Sequence, residues 1–236
     1  MNKRSVLKYT AIPVLAALLL LLRALPGLTG KPLFRSPAYN AAERYLSEHY
    51  AEMDLFIGEI LWSDHGGDYH ASIYSPTDED IRFTLVISSL SKEVEQDTYA
   101  EDVLGGKTTA DRLSREYGDL VSAALNSPSS PFANAKVTGL LELHSVPFSP
   151  EESYDVRELG KEAGFVKLSM ETGKADAEEA ARIVLELKRV MDAQDIPFSF
   201  LSLYLWGSGD VTVQGLPCRE IFEEGMAERI QSYMQP

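Results

Sequence analysis

Residues 68–88 read DYHASIYSPTDEDIRFTLVIS. Two alternating runs flank a proline- and acid-rich break. Before the break, Tyr69, Ala71 and Ile73 share one parity and His70, Ser72 and Tyr74 the other. After Pro76-Thr77-Asp78-Glu79-Asp80, the residues Ile81, Phe83, Leu85 and Ile87 alternate with Arg82, Thr84 and Ser88. A period of two sends successive side chains to opposite faces of a strand. The stretch therefore predicts an antiparallel hairpin with one face on a core and one toward solvent. Leu55–Ser63, apolar and containing Trp62, adds a strand before it, through the turn Asp64-His65-Gly66-Gly67.

Upstream, Ser36-Pro37 reads as an N-cap followed by proline at the first helical position. The helix runs to about Tyr50, with Ala38, Ala41, Ala42, Tyr45, Leu46 and His49 on one stripe. It is expected to cover the meander. Downstream, a polar stretch from Ser89 to Lys107 leads to a helix from Thr109 to about Leu125. Asn126–Pro131 then reads as a linker.

The second half has a different rhythm. Lys136–His144 and Phe165–Glu171 are strand candidates, and Asp155 caps a short helix between them that ends at Gly164. Asp176 caps the strongest helix, Ala177–Gln194, with Ala180, Ile183, Val184, Leu187, Val190 and Met191 as its stripe. Phe198–Trp206 is apolar on both parities and reads as a central strand. Asp210–Gly215 is a further strand, and Glu220–Met234 a last helix.

The fold class expected is α+β, as two small sandwiches. An antiparallel meander with flanking helices (α-β-β-β-α) precedes a mixed sheet with helices (β-α-β-α-β-β-α), after an N-terminal hydrophobic helix. The domains are expected at residues 31–127 and 133–236.

That N-terminal segment, residues 1–30, is unlike the rest. Lys3, Arg4 and Lys8 precede the uncharged run Tyr9–Leu22. Fourteen helical residues rise roughly 21 Å, short of a hydrocarbon core of ~30 Å, so the span must continue past Arg23 to Leu28. No small-residue cleavage pattern follows, and Leu25-Pro26-Gly27 breaks the helix. The reading is an uncleaved anchor through residues 6–28, with a cleaved signal as the alternative. The positive-inside rule then places the body outside the cell membrane; a cleaved signal would make it secreted.

Charge divides at the same boundary. Four of the 22 basic residues fall in the first 30 positions, which leaves 18 against all 36 acidic residues and a net charge of −18 beyond them. Such a surface repels phosphate backbones, so nucleic acid is not an expected partner. Cys218 is the single cysteine and excludes an intrachain disulfide.

Motifs that carry chemistry are few. Gly106-Lys107-Thr108 before a helix suggests a phosphate loop, but Glu101 stands where that motif needs glycine. Asp64, His65, Asp68 and His70 could approach one another as metal ligands only in a distorted hairpin, so no metal is expected there. Cys218 beside Arg219 at a helix entry lacks a base, with His144 the one candidate in its half. Acidic pairs such as Glu151-Glu152 and Glu223-Glu224 are what an acidic chain supplies by composition, and His49 belongs to a helix stripe. No cofactor is implied. The candidate binding residues are His70, Ser72 and Tyr74 on one strand and Arg82 and Thr84 on the next, which would form one polar patch across an antiparallel pair.

At Ser75–Phe83, with Asp97-Thr98-Tyr99 and the Arg112–Tyr117 helix, the chain resembles YfjL-like proteins, small anchored or exported proteins of Gram-positive bacteria. The helix with Glu43-Arg44-Tyr45-Leu46 and its following hairpin are similar to the PepSY-type layout. The resemblance covers residues 37–125. It implies an extracytoplasmic location, assigns no activity and supplies no catalytic residues.

Together these readings favour a tethered, non-enzymatic module that binds a protein, peptide or wall component. A hydrolase with a cleft between the halves is the alternative. A cation sensor using Asp78-Glu79-Asp80 or Glu93–Asp102 is a third reading.

Overall fold

Ser36 starts the first helix as its chemistry requires: its Oγ accepts the Tyr39 N–H at 3.1 Å, and Pro37 occupies the first helical position. The computed structural model describes residues 36–63, 66–143, 148 and 152–234. The expected N-terminal hydrophobic helix lies outside the described residues. Among the described residues no helix is long and apolar enough to cross a membrane.

The fold is α+β, with two four-stranded sheets. α1 (Pro37–His49) precedes an antiparallel sheet in the order β1 (Phe56–Ser63), β2 (Asp68–Tyr74), β3 (Arg82–Ser88), β4 (Val94–Asp97). A π-helical turn (Ala100–Leu104) and α2 (Lys107–Leu125) follow. The second sheet runs β5 (Lys136–Leu141), β6 (Gly164–Glu171), β7 (Phe200–Gly207), β8 (Gly209–Pro217). Its helices are α3 (Val156–Ala163), α4 (Ala177–Ala193) and α5 (Met226–Tyr233).

Two compact units divide the chain. One takes residues up to Ser72 together with Leu85–Gln96; the other takes Ile73–Thr84 and everything from Asp97. In the first, α1 packs on β1 and buries Ala38, Ala41, Ala42 and Leu46. β4 arises within a stretch expected to be irregular: Lys92, in the left-handed region at φ 60°, closes a turn in which the Ser88 N–H donates to the Glu93 carbonyl. β1 is an edge strand, and its Phe56, Leu61 and Trp62 are exposed.

In the second unit, β6 and β7 are parallel, joined by α4 as a crossover, while β5 and β8 pair antiparallel at the two edges. α2, α4 and α5 all contribute to one core on one face of this sheet. Leu113, Tyr117, Val121 and Leu125 of α2 join Val166, Leu168, Leu201, Leu203, Leu205, Val211 and Val213, with Ile183, Val184, Leu187 and Met191 of α4 across from them. The last helix is shorter than expected. Cys218–Glu220 is a single 3-10 turn and α5 begins at Met226, because Gly225 takes a left-handed conformation (φ 65°) just before it.

α2 lies very close to β5. A Cβ on Gly118 would meet the Gly139 carbonyl oxygen at 2.7 Å, and one on Gly139 would meet Val121 at 2.7 Å. Two effects of opposite sign follow for Gly118→Ala. Helix propensity favours alanine by up to about 1 kcal/mol. The clash is with backbone, which cannot swing aside, and overpacking costs about 1–3 kcal/mol. Gly118→Ala is expected to lower stability by about 1–2 kcal/mol in urea unfolding. A stabilised variant would show that the helix does not sit this close to the sheet.

Candidate functional site

The five residues singled out from the sequence fall on both sides of the division. His70 and Ser72 are exposed on β2 in the first unit. Tyr74 and Arg82 are exposed in the second, flanking the turn that the Ser75 N–H closes on the Ile81 carbonyl at 3.0 Å. Thr84 is half-buried, and its backbone is engaged by Thr98. The Thr84 N–H donates to Thr98 Oγ1 at 2.8 Å, and its carbonyl accepts the Thr98 N–H at 3.1 Å. Residues His70, Ser72 and Tyr74 share the outer face that their parity predicts.

The acidic turn between those strands is tied into the fold. Asp78 Oδ1 accepts the Asp80 N–H at 2.9 Å, a local turn bond. Glu79 pairs with Arg115 at 3.1 Å. Asp80, only 4% exposed, accepts a two-pronged bond from Arg112: Nε to Oδ1 at 2.7 Å and Nη2 to Oδ2 at 2.9 Å. Arg112 also reaches Glu116 at 2.8 Å. The Arg112 guanidinium holds the Asp80 carboxyl below the usual carboxylate range, outweighing burial, which acts in the opposite direction. Thr109 Oγ1 is fully buried nearby; it falls short of a well-formed hydrogen bond, but its dipole also favours the ionised Asp80.

The Gly106-Lys107-Thr108 segment has a structural role of the same kind. Lys107 Nζ binds Asp102 at 2.8 Å, and Thr108 Oγ1 donates to the carbonyls of Asp80 and Asp102. Burial disfavours the charge on Asp102, yet Lys107 and the Thr98 hydroxyl outweigh it and lower its pKa. Gly106 is left-handed (φ 73°), and a Cβ there would lie 2.5 Å from the Phe148 carbonyl oxygen. Its lysine and hydroxyl are thus turned onto protein groups. Among the described residues no three His, Cys, Asp or Glu side chains converge as metal ligands. Asp64, His65 and His144 lie outside the described residues. The Cys218 thiol is half-buried, and burial pushes its pKa up, away from a nucleophilic thiolate.

A different surface assembles side chains around the strand read as central. On the second sheet, the helix-covered face takes Leu201, Leu203 and Leu205 of β7. The opposite parity is not buried. Phe200 is 41% exposed and Tyr204 40%, and Trp206 is half-buried. β7 is central as expected, but it is apolar on both faces without being covered on both. Strand register places Phe165 beside Phe200, Lys167 beside Ser202, Ser169 beside Tyr204, and Glu171 beside Trp206. On the other flank Tyr204 pairs with Thr212 and Trp206 with Asp210. On the outer edge Lys136 stands opposite Ser169, and Thr138 opposite Lys167. A register shift between Leu201 and Leu203 lets the Ser202 hydroxyl accept the Gly215 N–H at 3.1 Å.

The result is an open hollow of about 460 Å³ lined by Phe165, Lys167, Ser169, Ser202, Tyr204, Thr212 and Gln214. That volume lies within the range of ligand sites. Tyr204 and Trp206 stand 5.5 Å apart with planes tilted by 32°, a shallow aromatic platform. One signal of this face is in the sequence: even positions from Phe200 to Trp206 are aromatic or hydroxylic, while odd positions from Leu201 to Leu205 are all leucine.

The Asp80–Arg112 pair makes a two-part prediction. Arg112→Met leaves a carboxylate in a buried site and is expected to cost about 3 kcal/mol at pH 7. Because the folded pKa of Asp80 is depressed, its stabilisation is present above pH ~4 and lost as pH falls through the folded value. Thermal melts from pH 7 to pH 3 should show wild type and variant converging at the acid end. A gap independent of pH would assign the loss to packing alone.

No family model matches the chain, and no curated protein matches it. Among solved structures, it is similar to the crystal structure of a DUF5037 family protein from Ruminococcus gnavus ATCC 29149. That match has 17% identity over 83% of this chain and 87% of the other, at a TM-score of 0.22. A likeness of that degree carries no argument about fold or activity.

Proposed function

We propose that the chain is an extracytoplasmic binding module, tethered through residues 6–28, that engages its ligand on the open face of the second sheet. The observation that carries this reading is the pairing of Phe165, Phe200, Tyr204 and Trp206 with hydroxyl and amide side chains on that face. Each aromatic side chain can bury 150–250 Å², so leaving several together against water forgoes a large stabilisation. A contiguous surface of that composition marks a site of interaction more than an ordinary solvated sheet face. The basic-then-apolar N-terminus and the resemblance of residues 37–125 to YfjL-like proteins support the location. Binding is favoured over turnover because the groups with displaced pKa values in the acidic turn and at Asp102 are engaged in ion pairs.

Photocrosslinking in cells tests the reading. A photoreactive residue replacing Thr212, in the hollow, should yield an adduct on the full-length protein. The same residue replacing Arg189, exposed on α4, should not. Tyr204→Ser should reduce the Thr212 adduct several-fold while leaving expression and melting unchanged, because Tyr204 is exposed. Absence of the Thr212 adduct, or equal adducts from both positions, would remove this face as the binding surface.

A further inference from the structure

Resting on the open sheet face as the binding surface, we infer that its ligand is an acidic oligosaccharide. A sugar ring lies on the Tyr204–Trp206 platform, and a carboxylate reaches Lys167 and Lys136. Four features of the face select this chemistry.

The first is shape. An aromatic ring carries negative charge on its face and positive charge at its edge. The C–H-rich face of a pyranose presents weakly positive hydrogens and complements that ring face, provided the rings lie open rather than interlocked. Tyr204 is 40% exposed and Trp206 half-buried, so both rings keep surface open to water.

The second is the polar rim. A sugar ring that stacks still presents hydroxyls at its edge, and each needs a partner that both donates and accepts. Ser169, Ser202 and Thr212 carry such hydroxyls, and Gln214 carries an amide with both functions. The Ser202 oxygen accepts from Gly215 and keeps its own proton to donate outward.

The third is charge. Beyond residue 30 the chain is at −18, yet two lysines stand on this face. Lys167 adjoins Ser202, and Lys136 adjoins Ser169, which in turn adjoins Tyr204. Neither lysine has a carboxylate partner among the described residues. Neighbouring strands lie about 4.8 Å apart, so a carboxylate on a ring over Tyr204 comes within reach of a lysine one strand away. Glu171 and Asp210 flank Trp206 at the far end and repel an acid there, which gives the ligand one orientation.

The fourth is what other ligands require. A strand-adding peptide docks on an unpaired sheet edge, whereas these side chains rise from the face of the two central strands and their edge neighbours. A nucleic acid brings a phosphate at every nucleotide, and two lysines with Glu171 and Asp210 beside them leave most of that charge unmatched.

Intrinsic fluorescence of the full-length protein in detergent micelles tests this. The chain has two tryptophans, so a Trp62→Phe background leaves Trp206 as the reporter. Trigalacturonate and a muramic-acid-containing disaccharide with a free lactyl carboxylate are the probes. Their carboxyl-reduced counterparts and tetraglutamate are the controls. Saturable quenching by at least one acidic sugar is expected, weakened about tenfold or more by carboxyl reduction, by Tyr204→Ala and by Lys167→Ala with Lys136→Ala. Added salt should weaken it as well. Unchanged melting of each variant excludes unfolding as the cause. If neither acidic sugar saturates while the Thr212 crosslink persists, the ligand class is wrong and the binding face stands. If that crosslink is also absent, both fail. Equal quenching by tetraglutamate, or by the reduced sugars, overturns the inference in favour of an acidic peptide or a neutral glycan.

Discussion

The second unit depends on one buried phenol. Tyr117, on α2, is fully buried, and its hydroxyl donates to the Pro197 carbonyl at 2.8 Å. Burial drives its pKa well above the ordinary tyrosine range, so the group serves as a neutral donor at any working pH. Two glycines make room for it. A Cβ on Gly160 would lie 2.7 Å from the Tyr117 ring, and one on Gly164 would lie 2.6 Å from its hydroxyl oxygen. The residues are far apart in sequence, so each contact forms only when distant segments meet. The phenol thereby joins α2, the end of α3, the start of β6 and the segment entering β7.

That constraint shapes the sheet. With α2 held on β5, α4 on β7 and α5 on β8, one face is filled by leucine, valine and isoleucine. The three helices all lie on that side. The opposite face keeps its aromatics in water, with lysines toward one end and acids toward the other. The same division of labour holds for the charges. Asp80 and Asp102 spend their charge on Arg112 and Lys107, fixing the turn before β3 and the entry to α2. The lysines of the open face have no such duty.

Local chemistry was legible wherever it acts over a few residues. Ser36, Asp155 and Asp176 each cap the helix they precede, since a short polar side chain reaches an N–H two or three residues on whatever the surroundings. The alternation of β2 and β3 gave their buried and exposed parities, except that Ser88, read on the solvent side, is buried. The second-half order β-α-β-α-β-β-α followed from hydrophobic period and turn residues, and the structure has that order. Weaker signals were lost. β4 is four residues, Val94-Glu95-Gln96-Asp97, too short and polar for periodicity to register. The break before α5 depends on a single left-handed glycine, Gly225.

By itself, then, the sequence determined the element types, the caps, the charge division and the basic-apolar N-terminus, because each is a property of neighbouring residues. Only the tertiary structure decided which surfaces are covered. Phe200-Leu201-Ser202-Leu203-Tyr204-Leu205-Trp206 is apolar enough to be buried on both sides, and nothing within the strand says that helices pack on the leucine side alone. Coverage is settled by where α2, α4 and α5 run, and that is settled by contacts such as Tyr117 with Pro197, 80 residues apart in the chain.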